Sequence, residues 1–122
     1  MLGDCAIVAM LPTTDPEAAR RFYSQVLGLT LTSEDPFALV FDAGGTPLRL
    51  QKVAACTPHP FSALGWSVPD VRAAAAALAG KGVRFERFEG MDQDELGIWM
   101  PPGAAKGVCW FRDPEGNLLS LS

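Results

Sequence analysis

Histidine is almost missing from this 122-residue chain, with His59 as its single copy. Imidazole is the usual ligand of zinc, iron and nickel and the usual acid-base group near neutral pH, so both chemistries are constrained from the start. Cysteine is sparse too. Cys5, Cys56 and Cys109 form no CxxC pair and leave one over in any disulfide scheme, which reads as reduced, mostly buried thiols. No stretch concentrates Lys or Arg, and ten basic against fourteen acidic residues give a net charge of −4. Nucleic acid and anionic membrane are therefore poor partners. No apolar run approaches the roughly 20 residues that cross a bilayer. Residues 1–10 lack a basic region and carry Asp4 and Cys5, so they do not read as a signal peptide, and a cytoplasmic location is expected.

Apolar residues make up 48% of the chain and charged residues 20%, enough to bury a core. The length suits one domain over residues 1–122. Residues 5–11 read as an extended apolar segment. Thr14 followed by Glu17 is a capping-box pattern, and Pro16 suits a first helical turn because its missing N–H would be unpaired there anyway. A helix is predicted from about Asp15, with Ala18, Ala19, Phe22, Val26 and Leu27 at helical spacing and Gly28 as its stop. Strands follow at 29–32, 37–42 and 47–53, the last two joined by the hairpin-like Ala43-Gly44-Gly45-Thr46.

The second half repeats this order. Residues 64–68 read as a strand, and Asp70 opens a helix that runs through the alanines at 73–77 to about Ala79, closed by Gly80-Lys81-Gly82. Strand-like pieces follow at 83–88, 97–100, 107–111 and 117–121, broken by Pro101-Pro102-Gly103 and by Asp113-Pro114-Glu115-Gly116-Asn117. Phe41-Asp42…Gly45…Leu48-Arg49-Leu50 recurs as Arg112-Asp113…Gly116…Leu119-Ser120-Leu121. A unit of about 60 residues is too small to bury both faces of its sheet. Each sheet is expected to pack one face on its own helix and leave the other facing inward. The predicted fold is α+β: two β-α-β-β-β modules, about 1–55 and 61–122, forming curved mixed sheets around a cleft, and the cleft is where function is expected.

The helix phrase Asp15-Pro16-Glu17-Ala18-Ala19-Arg20-Arg21-Phe22-Tyr23, with Val26-Leu27-Gly28-Leu29, Val68-Pro69-Asp70-Val71 and the closing Phe111-Arg112-Asp113-Pro114-Glu115-Gly116-Asn117, resembles the vicinal oxygen chelate superfamily. That group includes glyoxalase I, bleomycin resistance proteins and extradiol dioxygenases, and the resemblance covers nearly the whole chain. It implies the glyoxalase/bleomycin resistance/dioxygenase fold and, for the enzymes, a divalent metal held from four inward strand positions. Those positions fall on Val8, Arg49, Ala63 and Ser120. Valine and alanine have no donor atom, and arginine would repel a cation. The resemblance therefore points to the bleomycin-resistance-like branch, which binds ligands without chemistry, and it implies a homodimer. No cofactor is expected.

Strand alternation puts Arg49 and Gln51 on one face, out of phase with Leu48 and Leu50. Facing the cleft, Arg49 would pair with a carboxylate or phosphate on a ligand; at the rim, it would pair with an acidic neighbour. Trp66, Trp99 and Trp110 all fall in predicted strands, with Trp66 expected in the core and Trp99 and Trp110 as walls for a flat or apolar ligand. Phe37 is a further wall candidate, near a possible mouth, and Ser120 completes the ligand-binding set. Glu95 would serve as a general base only if buried, His59 only if its linker folded over the cleft, and Tyr23 reads as packing between helix and sheet.

The leading expectation is a metal-independent small-molecule-binding protein, sequestering an anionic or aromatic compound. An alternative is a glyoxalase-like lyase or isomerase, or a ring-cleaving dioxygenase, with its metal held elsewhere; a set such as Cys109, Asp42 and Glu95 has no recognisable spacing. A third reading is a sensor or partner-binding module.

Overall fold

Apolar alternation in the first half becomes a four-stranded sheet with one helix against it. The computed structural model describes all residues 1–122, which divide into two units, Met1–Thr57 and Pro58–Ser122. The first unit contains β1 (Ala9–Thr13), α1 (Pro16–Arg21), β2 (Thr30–Glu34), β3 (Ala38–Ala43) and β4 (Thr46–Lys52). Its sheet runs in the order β1-β4-β3-β2, with β1 parallel to β4 and the other pairs antiparallel. The first strand starts later than residue 5 because pairing with β4 begins at Ala9 opposite Leu48, while Leu2–Asp4 forms a 3-10 turn.

Asp15 itself, rather than Thr14, caps α1: its Oδ1 accepts the Ala18 N–H at 3.1 Å, and Pro16 occupies the first helical position. The α-geometry stops at Arg21, earlier than Gly28. A π-helical turn, Phe22–Val26, carries the chain on and closes with the Leu27 N–H on the Phe22 carbonyl at 3.0 Å. Tyr23 in this turn is fully buried, its ring 5.7 Å from that of Phe41 in β3. With Leu39, Leu48 and Leu50 it forms the core of the unit, each side chain contributing about 1.5–3 kcal/mol through lost contact with water. The β3–β4 turn is tight because Gly44 and Gly45 take φ of +60° and +90°, the paired left-handed conformations of a two-residue hairpin loop.

The second unit has β5 (Ser62–Trp66), α2 (Val71–Gly80), β6 (Cys109–Arg112) and β7 (Leu118–Leu121). The order β5-β7-β6, with β5 parallel to β7 and β6 antiparallel to it, repeats the arrangement of β1, β4 and β3. Asp70 caps α2 by accepting the Ala73 N–H at 3.0 Å. Cys109, Phe111, Leu119 and Leu121 are buried, as are Val71 and Ala75 of α2.

Two expected strands here do not form. Residues 83–88 make one bridge, Phe85 to Phe111, and residues 97–100 pair only through Trp99. The cause is a side chain. Gln93 Oε1 accepts the Phe88 N–H at 2.8 Å, and its Nε2 donates to the carbonyls of Glu86 and Gly97 at 2.9 and 2.8 Å, so backbone groups that a ladder would use are already satisfied. The remaining pieces are shorter than expected, β6 starting at Cys109 and β7 at Leu118. No helix is long and apolar enough to cross a membrane.

Candidate functional site

In the first unit the buried phase of the sheet contains Leu11, Leu39, Phe41, Leu48 and Leu50. On the opposite phase Met10, Val40, Arg49 and Gln51 all keep solvent contact, beside the buried Ala38. Register places Met10 beside Arg49 and Arg49 beside Val40, with Gln51 between Pro12 and Ala38 in the next row. Arg49 is half-buried, yet its guanidinium makes neither a hydrogen bond nor an ion pair within the chain. The nearest acidic influence is Asp35, whose carboxylate accepts the N–H groups of Phe37 and Ala38 at 2.7 and 2.9 Å. Those two bonds hold the Asp35 carboxyl below its ordinary pKa, and the positive charges of Arg49 and Lys52 add to the effect. Neighbouring charges that do pair are satisfied by one another: Glu34 receives both Arg20 and Lys52, which lowers its pKa and ties α1 to β2 and β4.

Phe37 does not join Arg49 and Gln51. It shares the phase of Leu39 and Phe41, and at the strand's start it is 72% exposed. Alternation decides this: Ala38, and not Phe37, stands opposite Gln51.

The second unit has a face of different character. Trp110 pairs across to Ser120, and Ser120 to Gly65. A Cβ at Gly65 would stand 2.5 Å from Ser120 Oγ, so any larger residue there would turn the hydroxyl aside. Around Trp110, Phe88 stands perpendicular at 5.3 Å and Trp99 lies tilted at 6.3 Å. Trp99 is held by reciprocal backbone bonds with Val108, both 2.8 Å. All three rings are half-buried and form an aromatic cluster beside the Ser120 hydroxyl. Trp66 takes the opposite phase, paired with the buried Leu121, but is half-buried rather than fully in the core. A bulge between Ser62 and Leu64 sets this phase, leaving Ala63 outside the ladder register.

The base candidates fare differently. Glu95 is exposed and paired with Arg72 at 2.8 Å, which lowers its pKa, the reverse of what a general base needs. His59 stacks on Phe61, ring centroids 5.0 Å apart, and both are exposed. Cys109 is a buried thiol that loss of solvation pushes up to about 11, so it is neither nucleophile nor ready metal ligand at neutral pH. Sequence reasoning singled out Glu95 in this segment and missed Gln93 and Asp94. Asp94 Oδ1 accepts the N–H groups of Leu96 and Ile98, both at 2.9 Å, and its Oδ2 receives Arg72. The signal was present in Asp94-Glu95-Leu96-Gly97, an Asx-turn spacing that ends in glycine.

A pocket of about 490 Å³ opens beside the start of α2, among Asp70, Arg72, Asp94, Met100 and Lys106. None of the six sequence-derived ligand candidates lines it. Four of its five charged side chains are engaged, all but Asp92: Asp70 caps α2, Arg72 holds Asp94, and Lys106 donates to the Val68 carbonyl at 2.6 Å.

A β-α-β-β-β unit and a β-α-β-β unit, whose strand orders match over three strands, define an α+β protein. The family model described as Glyoxalase/Bleomycin resistance protein/Dioxygenase superfamily matches residues 6–121, and the chain belongs to that superfamily. Among solved structures, a glyoxalase family protein from Enterococcus faecalis is similar with a TM-score of 0.74 at 19% identity, over 99% of this chain and 98% of that one. A glyoxalase/bleomycin resistance protein from Streptomyces sp. CB03234 has a TM-score of 0.64 at 25% identity, over 93% and 95% of the two chains. TnmS3, an antibiotic binding protein from the same organism, has a TM-score of 0.68 at 23% identity, over 98% and 96%. The search of curated proteins gave no match.

The residues at the metal positions do not fit a divalent ion. Within the first unit they are Val8 and the cationic Arg49, and within the second Ala63 and the hydroxyl of Ser120. No group of three or more His, Cys, Asp or Glu side chains converges anywhere in the chain.

Proposed function

We propose that this protein binds a small anionic, partly aromatic molecule without a divalent metal and without transforming it. The observation that carries the reading is Arg49, a half-buried residue whose guanidinium has no hydrogen-bond or ion-pair partner in the chain. A buried charge is costly unless paired, so an arginine in this state is satisfied by water or by a ligand oxygen. Gln51 beside it adds an amide for the same anion, and the second unit, taken by itself, carries a flat aromatic surface of Trp99, Trp110 and Phe88 with the Ser120 hydroxyl. The antibiotic-binding description of TnmS3, a relative in fold, accords with a binding rather than a catalytic role.

If no metal belongs to the fold, a chelator such as EDTA leaves the melting temperature unchanged, because a metal bound only by the folded state would stabilise it by mass action. A chelator-induced fall in melting temperature, restored by one divalent ion, would overturn the metal-free reading and favour an enzyme.

A homodimer belongs to the same proposal. β1 is an edge strand of its sheet, and Ile7 and Val8 just before it are exposed apolar side chains, which an unprotected edge leaves prone to association. Sedimentation at micromolar concentration is expected to give about twice the chain mass of 13.0 kDa. A folded species of single-chain mass throughout that range would reject the dimer.

A further inference from the structure

Met10 lies beside Arg49 in the first unit and is 55% exposed. Of the four methionines, it is the one whose sulfur accepts a hydrogen bond: Gln51 Nε2 stands 3.9 Å from Met10 Sδ. Thioether sulfur is a weak acceptor, so this bond from the solvent-exposed Gln51 amide is weak. An added oxygen would change that. With an S–O bond of about 1.5 Å, an N···O separation of about 2.8 Å and a bent angle at oxygen, the nitrogen falls about 3.9 Å from sulfur. The observed separation is the one a captured sulfoxide requires, with no movement of the strands.

We propose that Met10 is an oxidation site whose sulfoxide is captured by Gln51 and shuts the Arg49 face to anions. A hydroperoxide supplies the oxygen. The sulfur lone pair attacks the distal oxygen, an S–O bond forms as the O–O bond breaks, and the distal proton passes to the departing oxygen. Sulfur is oxidised by two electrons and the peroxide is reduced to water or an alcohol. The new oxygen is a strong acceptor. It occupies the Gln51 amide and presents partial negative charge to Arg49, so a ligand carboxylate now competes with an internal group. The consequence for anions rests on the reading of Arg49 given above; capture of the sulfoxide does not.

The test is mild treatment with hydrogen peroxide, followed by peptide mass mapping and digestion with the two stereospecific methionine sulfoxide reductases. The configuration at sulfur is fixed as the oxygen is transferred, so a Gln51 amide that donates to the incoming oxygen predicts one Met10 epimer in excess by about threefold or more, against a near-even mixture at the freely exposed Met1. Gln51→Leu is expected to even the ratio at Met10. Naphthoate, a flat aromatic carboxylate, then probes the face: oxidation weakens its binding about tenfold, and enzymatic reduction restores it. Met10→Leu binds naphthoate as the parent does and is indifferent to peroxide. An even epimer ratio at Met10 in the parent, or one unchanged by Gln51→Leu, overturns the capture. Equal naphthoate affinity before and after oxidation overturns the switch. If the reduced parent does not bind naphthoate, the Arg49 reading fails, while the epimer ratio still decides the capture.

Discussion

Replacing Arg49 by alanine is expected to weaken binding of an aromatic carboxylate by about 2–3 kcal/mol, or about 30- to 150-fold, the range for losing a charge-assisted hydrogen bond inside a protein. Arg49→Lys should recover only part of the loss, because an ammonium cannot present the planar fork that meets both carboxylate oxygens. Folding should be nearly indifferent. Arg49 has no partner in the chain, so its removal orphans no acceptor. Calorimetric titration of the three variants with the tightest-binding aromatic carboxylate from a screen, beside their melting temperatures, separates binding from stability. Unchanged affinity in Arg49→Ala would make the arginine a rim residue and end the anion-selective reading. A large loss of stability would contradict its isolation.

The second large effect is on stability. Asp113→Ala is expected to destabilise the protein by about 3 kcal/mol, lowering the melting temperature by roughly 10 °C. Asp113 and Asn117 are both buried. Asp113 Oδ1 accepts the N–H groups of Glu115 and Asn117, and Oδ2 accepts Asn117 Nδ2, all at 2.9 Å. Backbone bonds from Gly116 to the Asp113 carbonyl and from Asp113 to the Asn117 carbonyl complete the turn. Alanine would leave a buried side-chain amide and two N–H groups without these acceptors, and each unmet group costs about 1–3 kcal/mol before water relieves part of it. Asp113→Asn keeps one carbonyl acceptor but sets an amide against the Asn117 amide, so its effect should fall between parent and alanine. Thermal unfolding measures both. A loss below about 1 kcal/mol for Asp113→Ala would show that the loop holds without its carboxylate.

The same motif shows how far the sequence could be read. Asp113-Pro114-Glu115-Gly116-Asn117 was legible as a turn because each residue type acts on its own neighbours, and the structure shows those local bonds. The cap at Asp70 and the glycine pair in the β3–β4 turn were legible for the same reason, whereas the cap of α1 falls on Asp15, one residue past the expected Thr14. Residues 83–108 were not. Their apolar patches suggested regular strands, but Gln93 and Asp94 bind backbone groups up to seven residues away, as in Gln93 to Glu86, and no periodicity encodes such a bond. The bulge at Ala63 was equally hidden, because one extra residue resets the phase of everything after it.

What the sequence determined by itself is the β-α-β-β-β order of the first unit, the β-α-β start and closing strand of the second, their turns, and which residue types stand at Val8, Arg49, Ala63 and Ser120. Those properties reside in residue types and short spacings. Only the tertiary structure decided that Arg49 stands half-buried and unpaired, that Phe37 turns away from it, and that Trp99 and Phe88 gather on Trp110. The physical reason is that a side chain's neighbours across a sheet are set by register and by long-range hydrogen bonds, where a shift of one residue exchanges the two faces.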